Sequence, residues 1–328
     1  MSSLSSSASL SSQFYQLGPV RRIERWLTAL PHPSLVVEIA AAHVAAARWG
    51  KVRGNLEAFA VEPLPFGAVV PSPVEPNIPQ PDEVRSALRK VFSRVSAAPG
   101  LALLIPDPVV RVFILPFENL PRRSDEALPL LRWRLKKSVP FDVDETAVSW
   151  MRQPGREGNL EVVTAVARQR IVREYEEIVN ALGASSTIVL SSTVATLPLL
   201  EERGATLLVR ICGKALTTVI VQGASLCVYR SSDMSADANS LDPQSMLDEI
   251  FPAIAYFQDT WRGTIDRARL AGLGLREPVF ARAISEELKC SVGSLSESDD
   301  ARVLDSKAKD LMKQNFDALV GWTLNGSA

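Results

Sequence analysis

Histidine and cysteine are scarce in this 328-residue chain, and that scarcity narrows the chemistry. The two His, His32 and His43, leave little for a His-based triad or a His-rich metal site. The three Cys, Cys212, Cys227 and Cys290, are odd in number and widely spaced, so no disulfide framework or zinc cluster fits. A reducing compartment is the simplest expectation. A basic excess is missing too: 36 Lys and Arg stand against 37 Asp and Glu, which argues against a broad nucleic-acid surface. No apolar run approaches the roughly 20 residues of a membrane-spanning helix. Residues 1–13, MSSLSSSASLSSQ, lack the basic and apolar regions of a signal peptide. The expectation is a cytoplasmic protein whose 46% hydrophobic residues supply an ordinary core.

What is present reads as α/β. Residues 1–20 are Ser-rich and are expected to stay disordered, because they bury too little apolar surface to offset ordering entropy. In residues 21–30, RRIERWLTAL, Ile23, Trp26, Leu27 and Leu30 recur at helical spacing beside Arg21, Arg22 and Arg25. A short helix docked on the domain is the plainer reading, and a basic amphipathic helix on a membrane is the alternative. Strand-like runs then follow at 34–40, 43–49 and 55–61, a Pro-rich loop at 62–81, a helix at 82–97 and a strand at 101–105. A second group comprises strands at 109–115, 146–152 and 160–167, with a helix at 124–138 that Pro140 stops.

Helices are then expected at 169–182 and 194–203, with a strand at 187–190 between them. Three strands at 206–212, 215–221 and 225–230 precede a long helix at 242–262, in which Pro252 predicts a kink. A strand at 267–271, a helix at 277–288, a strand at 291–295 and a closing helix at 307–324 complete the chain. The β-β-β-α-β order at 34–105 recurs from 206 onward, which suggests two similar lobes facing a cleft.

Four strings carry a family resemblance. They are Leu128-Pro129-Leu130-Leu131-Arg132-Trp133 with Val139-Pro140-Phe141-Asp142; Val162–Ala167 before the helix ending at Gly183; Glu249-Ile250 with Tyr256-Phe257-Gln258; and Leu270-Ala271-Gly272-Leu273-Gly274. With the order of elements, they resemble the PilM family, actin-like cytoplasmic proteins of type IV pilus assembly that are related to FtsA. The resemblance implies an actin-like two-lobed fold of RNase H-like subdomains. It places a tail at 1–33, lobe one at 34–200 with an inserted subdomain at 107–161, and lobe two at 201–328. It also implies a place under the inner membrane, peripheral to it, where the protein holds the N-terminal cytoplasmic peptide of a PilN-like membrane protein. The groove would lie between the inserted subdomain and lobe one, with Leu131, Trp133, Leu135 and Phe141 as contributors.

The same resemblance locates a degenerate ATP site at Glu38, Ala40, Ala41, Gly213, Lys214, Gly272 and Gly274. Actin-like ATPases use an acidic residue to hold magnesium through water and a Gly to let backbone approach the phosphates. Here the first turn has Glu38 and Ala40 in place of Asp and Gly, and the second has Arg210 and Cys212. Leu273 replaces a Gly in the third. An Arg cannot hold magnesium. Gly213-Lys214 also lacks the flanking residues of a phosphate-binding loop of the Walker type. Asp233 and the Asp299-Asp300 pair read as loop acids. The expected function is therefore a scaffold or adaptor and not an enzyme, a pseudo-ATPase for which ATP and magnesium are the only cofactors left open. Two alternatives are an adaptor switched by ATP and magnesium, and an FtsA-like membrane-tethered filament former. The basic residues Arg132, Arg134, Lys136 and Lys137 are expected as a solvated helix face that could meet anionic headgroups.

Overall fold

The computed structural model describes residues 32–324 apart from Arg53, Glu202 and Ser235. The disordered stretch expected at 1–20 and the helix expected at 21–30 both lie outside the described residues. The first lobe is built on a five-stranded sheet. Strands β1 (Leu35–Ile39), β2 (His43–Trp49) and β3 (Leu56–Pro63) form an antiparallel meander. Helix α1 (Pro81–Val95) then crosses over to β4 (Gly100–Ile105), which pairs parallel with β1. The edge strand β8 (Ser185–Ser191) pairs parallel with β4, giving the order β3-β2-β1-β4-β8. β1, LVVEI, is buried along its whole length, as a central strand covered on both faces must be.

The second lobe repeats this plan. Its meander comprises β9 (Ala205–Cys212), β10 (Ala215–Gln222) and β11 (Ser225–Asp233). β12 (Arg267–Ala271) pairs parallel with β9, and β13 (Ser291–Ser294) with β12, giving the order β11-β10-β9-β12-β13. The duplicated order read from the sequence is therefore a duplicated sheet topology.

A third, antiparallel sheet has the order β5-β7-β6, from β5 (Arg111–Phe117), β6 (Thr146–Pro154) and β7 (Leu160–Arg168). Its chain segment falls between β4 and β8. β7 runs to Arg168, past residue 161, because its apolar sequence continues directly into the next helix. Helix α2 (Ser124–Leu135) covers this sheet through Ala127, Leu131 and Leu135, which are 0–1% exposed.

Helix α3 (Gln169–Asn180) joins α1 on one face of the first-lobe sheet, where Leu88, Val91, Ile171 and Tyr175 are buried together. α5 (Pro243–Trp261) and α6 (Glu277–Leu288) cover the equivalent face of the second, around Ile250, Phe257 and Phe280. The inner faces of both sheets share one core with α4 (Ser192–Thr196), α7 (Ser306–Lys313) and α8 (Asp317–Leu324), in which Trp322 is fully buried.

Three expectations are corrected. The helix at 194–203 is α4 at Ser192–Thr196 plus a 3-10 turn at Leu197–Leu199, because Pro198 cannot continue an α-helix. The closing helix at 307–324 is two helices, separated at Asn315, whose φ of 67° is left-handed. The helix at 124–138 ends at Leu135, where Lys136–Ser138 turn before Pro140. α5, in contrast, runs through the exposed Pro252 without a break in the assigned helix.

Candidate functional site

The two lobes meet over a buried charge cluster. Glu38 is the penultimate residue of β1, and Asp107 follows β4 in the 3-10 turn Asp107–Val109. Ser192 and Thr193 open α4 directly after β8. All four residues thus stand at the carboxyl ends of parallel strands, the usual place for a site in a sheet of this kind. From the other lobe come Arg210 on β9, Thr217 opposite it on β10, and Tyr229 on β11. Asp317 opens α8.

Arg210 is the centre. It is 2% exposed and its guanidinium faces three carboxylates. Nε donates to Asp317 Oδ2 at 2.6 Å, one terminal nitrogen donates to Asp107 Oδ2 at 3.4 Å, and the other lies 3.8 Å from Glu38 Oε1. Asp107 also accepts from the Thr193 amide at 2.9 Å, the Thr193 hydroxyl at 2.6 Å, Thr217 Oγ1 at 3.3 Å and Tyr229 OH at 3.2 Å. Glu38 accepts from Ser192 Oγ at 2.6 Å, and His43 Nε2 lies 3.7 Å from its other oxygen.

Burial works against the Arg210 charge, but Asp317, Cys212, Asp107 and Glu38 together hold its pKa well above the ordinary arginine value. Burial alone would raise the Glu38 carboxyl. His43, Arg210 and the Ser192 hydroxyl outweigh it and leave Glu38 below its ordinary value. Burial raises Asp317, with Arg210 pulling the other way. Tyr229 is pushed far above the ordinary phenol value by burial and by Asp107, so it is a donor here and not a base. Among the described residues no group of three or more His, Cys, Asp or Glu is arranged to hold a metal. The cluster fits electrostatic fastening: a cation set among three carboxylates, with Asp317 Oδ1 and His43 Nε2 buried without a hydrogen-bond partner.

The residues expected around a nucleotide are distributed as follows. Glu38 is inside the cluster. Ala40, 3% exposed, and the half-buried Ala41 occupy the β1–β2 turn beyond it. Gly213 and Lys214 form the exposed β9–β10 turn. The glycine serves its φ of 61° there and not a close approach, since a Cβ would meet nothing within 4 Å. Gly272 does serve one: a Cβ would come 1.8 Å from the Ile211 carbonyl oxygen. Gly274 is exposed, 3.9 Å from the Asn315 side chain as measured from an added Cβ. Gly272 therefore abuts β9 next to Arg210, and Gly274 lies beside the turn before Asp317. Asp107, Asp317, Thr193 and Tyr229 were not singled out by sequence. The one local signal was Pro106-Asp107-Pro108 directly after a buried strand.

A second feature is an apolar groove of about 160 Å³ between the first-lobe sheet and the three-stranded sheet. It is flanked by β6 at Ala147–Ser149 and by β8 at Val189–Ser191, the outer strands of their sheets. Val148, Val166, Val172 and Val194 are among its lining. None of Leu131, Trp133, Leu135 and Phe141 lines it. Leu131 and Leu135 are fully buried under α2, Phe141 packs half-buried beside Leu135, and Trp133 is 71% exposed to solvent.

Neither a protein-family model nor a curated protein matches the sequence. Solved structures do. A chain of a PilM–PilN type IV pilus biogenesis complex superposes with a TM-score of 0.72 at 17% identity, over 90% of this chain and 98% of that one. A protein of unknown function with an actin-like ATPase fold, from Bacteroides thetaiotaomicron VPI-5482, gives a TM-score of 0.50 at 10% identity, over 83% of this chain and 95% of that one. The chain has an actin-like fold. The Arg210 cluster is buried between two lobes of like topology.

Proposed function

We propose that this chain is a non-catalytic, actin-like scaffold of a type IV pilus-like assembly, working on the cytoplasmic side of an inner membrane and peripheral to it. The observation that carries the non-catalytic part is the Arg210 guanidinium buried among Glu38, Asp107 and Asp317, which puts a fixed cation where an actin-like ATPase needs room for phosphates and magnesium. Arg210 repels a magnesium ion, and its carboxylate partners are already engaged. ATP and magnesium are accordingly not cofactors in this reading. The degenerate turns at Glu38-Ile39-Ala40-Ala41, Gly213-Lys214 and Gly272–Gly274 are structural.

The partner proposed is the N-terminal cytoplasmic peptide of a PilN-like membrane protein. Similarity to a PilM–PilN complex chain supports it, and so does the groove between β6 and β8. Two outer strands offer backbone hydrogen-bonding groups on either side of an apolar floor, which suits an extended apolar peptide. The groove belongs to lobe one, proposed as 34–200 with the inserted subdomain beginning near 107. Lobe two is proposed as 201–328. No helix among the described residues is long and apolar enough to cross a membrane.

Isothermal titration tests both parts. The peptide is expected to bind without nucleotide, and Val148→Glu is expected to weaken it more than tenfold by placing a charge in the groove. ATP–magnesium is expected to give no heat of binding. Micromolar ATP affinity would sink the non-catalytic reading, and peptide binding that depends on ATP would replace it with a nucleotide-switched adaptor.

A further inference from the structure

Helix α2 turns one face to the three-stranded sheet and leaves the other without any protein partner among the described residues. Ala127, Leu131 and Leu135 point inward and account for the packing. On the outer side Leu130 is 42% exposed and Trp133 71% exposed, three residues apart and so on the same face. An indole left this open in a chain with six tryptophans has no packing reason to be one. The Arg134 guanidinium lies 5.9 Å from the Trp133 ring and 5.4 Å from the Phe117 ring, and donates to the Pro116 carbonyl at 3.3 Å. It is thereby held beside the apolar patch.

The charge around this patch is one-sided. Residues 122–138 contain six basic side chains and two acidic ones, in a chain whose net charge is −1. Both acids, Asp125 and Glu126, are paired with Arg123, at 2.7 and 3.5 Å. Arg132 reaches inward to the Thr146 carbonyl at 3.4 Å. Arg122, Lys136 and Lys137 are exposed and make no ion pair with a described residue. Lys136 and Lys137 follow the helix end, where they also complement its dipole. The surface thus presents an amphipathic ring and a leucine at its centre, with unpaired cations around them.

We propose that this face of α2 docks on an anionic lipid bilayer, with Trp133 and Leu130 entering the headgroup region and Arg122, Arg134, Lys136 and Lys137 meeting lipid phosphates. Charge complementarity and an exposed Trp select a bilayer: indoles partition to the membrane interface, and juxtamembrane cations are drawn to anionic leaflets. The inference deepens the peripheral-membrane part of the reading above, while its test needs neither peptide nor nucleotide, so failure here leaves the peptide reading standing.

The test is sedimentation of the full chain with phosphatidylglycerol–phosphatidylcholine vesicles and with phosphatidylcholine vesicles alone. Binding is expected only to the former and is expected to fall with added salt. Each basic residue contributes about fivefold to partitioning. Lys136→Glu with Lys137→Glu is therefore expected to lower it by more than tenfold, and Trp133→Ala to lower it at constant charge. Unchanged thermal melts establish that the variants fold. In the wild type, brominated lipid is expected to quench fluorescence that is lost in Trp133→Phe. Absence of binding to anionic vesicles overturns the proposal. So does undiminished binding by the folded variants, which would move the contact to another surface.

Discussion

Arg210 shows how one side chain can tie distant segments of a chain together. It sits on a strand in the register position opposite Thr217, and its three carboxylate partners come from residues 38, 107 and 317. Such a group is costly to bury and more costly to break. Arg210→Met is expected to lower stability by about 3–5 kcal/mol at neutral pH, measured by urea unfolding, because it leaves buried carboxylates uncompensated. The pH dependence has a definite sign. Glu38 is held below its ordinary value, so its favourable contribution in the wild type is present above the unfolded carboxylate range and fades as pH falls through its lower folded value. In Arg210→Met the deficit is therefore greatest near neutrality and shrinks as pH falls through the lowered folded value of Glu38. A deficit independent of pH would mean that lost packing, and not charge, is responsible.

At the scale of elements, Gly272 ties the loop after β12 to β9. Its φ of 79° and the 1.8 Å approach of an added Cβ to the Ile211 carbonyl oxygen leave Ala no accommodation. Gly272→Ala is expected to cost on the order of 3 kcal/mol or more, read from the urea midpoint. Gly213→Ala has the positive φ to contend with but no clash, so its cost is expected to be smaller. The glycine at 272 was visible in the sequence as a candidate phosphate contact, and its backbone packing was not.

That difference is general here. The meanders at 35–63 and 205–233 were legible because their apolar runs are short and closely bounded by turns, lengths that suit strands and not helices. The end of α4 and the break before α8 were missed, since Pro198 and Asn315 act through backbone conformation and not through pattern. The cluster around Arg210 was half legible. Glu38 and Arg210 sit beside turns that can be aligned by eye, whereas Asp107 and Asp317 reach the cleft only through the folding of distant segments. The lining of the apolar groove between the two sheets could not be read, because the apolar residues of α2 are shared between core and surface with no signal in their spacing.

Across the whole molecule the lobes are joined in several places at once. Besides the Arg210 cluster, the buried Gln153 side chain donates to the Leu226 carbonyl at 2.8 Å and accepts from the Leu226 amide at 3.0 Å, which fixes β6 to β11. Arg156 donates to the Thr260 carbonyl at 2.9 Å. Beneath both, a single apolar core runs from β1 and β2 through α4 and α8 to β9 and β10. The lobes are expected to unfold together, with coincident urea transitions by tryptophan fluorescence and by far-ultraviolet circular dichroism. ATP–magnesium is expected to leave the midpoint unmoved, because a ligand that does not bind the native state cannot stabilise it. Two resolved transitions would show that the lobes are energetically separate.

The closure of that core has a geometric corollary. The Trp322 indole donates to the Pro33 carbonyl at 3.0 Å, and its ring meets His32 edge-on at 4.3 Å between centroids. The first and last well-packed turns of the body therefore share one corner. In a chain trimmed to residues 32–324, a short tether across that corner would close the body into a ring without disturbing either sheet, and new ends could be opened at the exposed β9–β10 turn, Gly213-Lys214. Fluorophores placed near residues 32 and 324 would report on one locality, so a distance measurement meant to follow the two lobes needs its labels elsewhere.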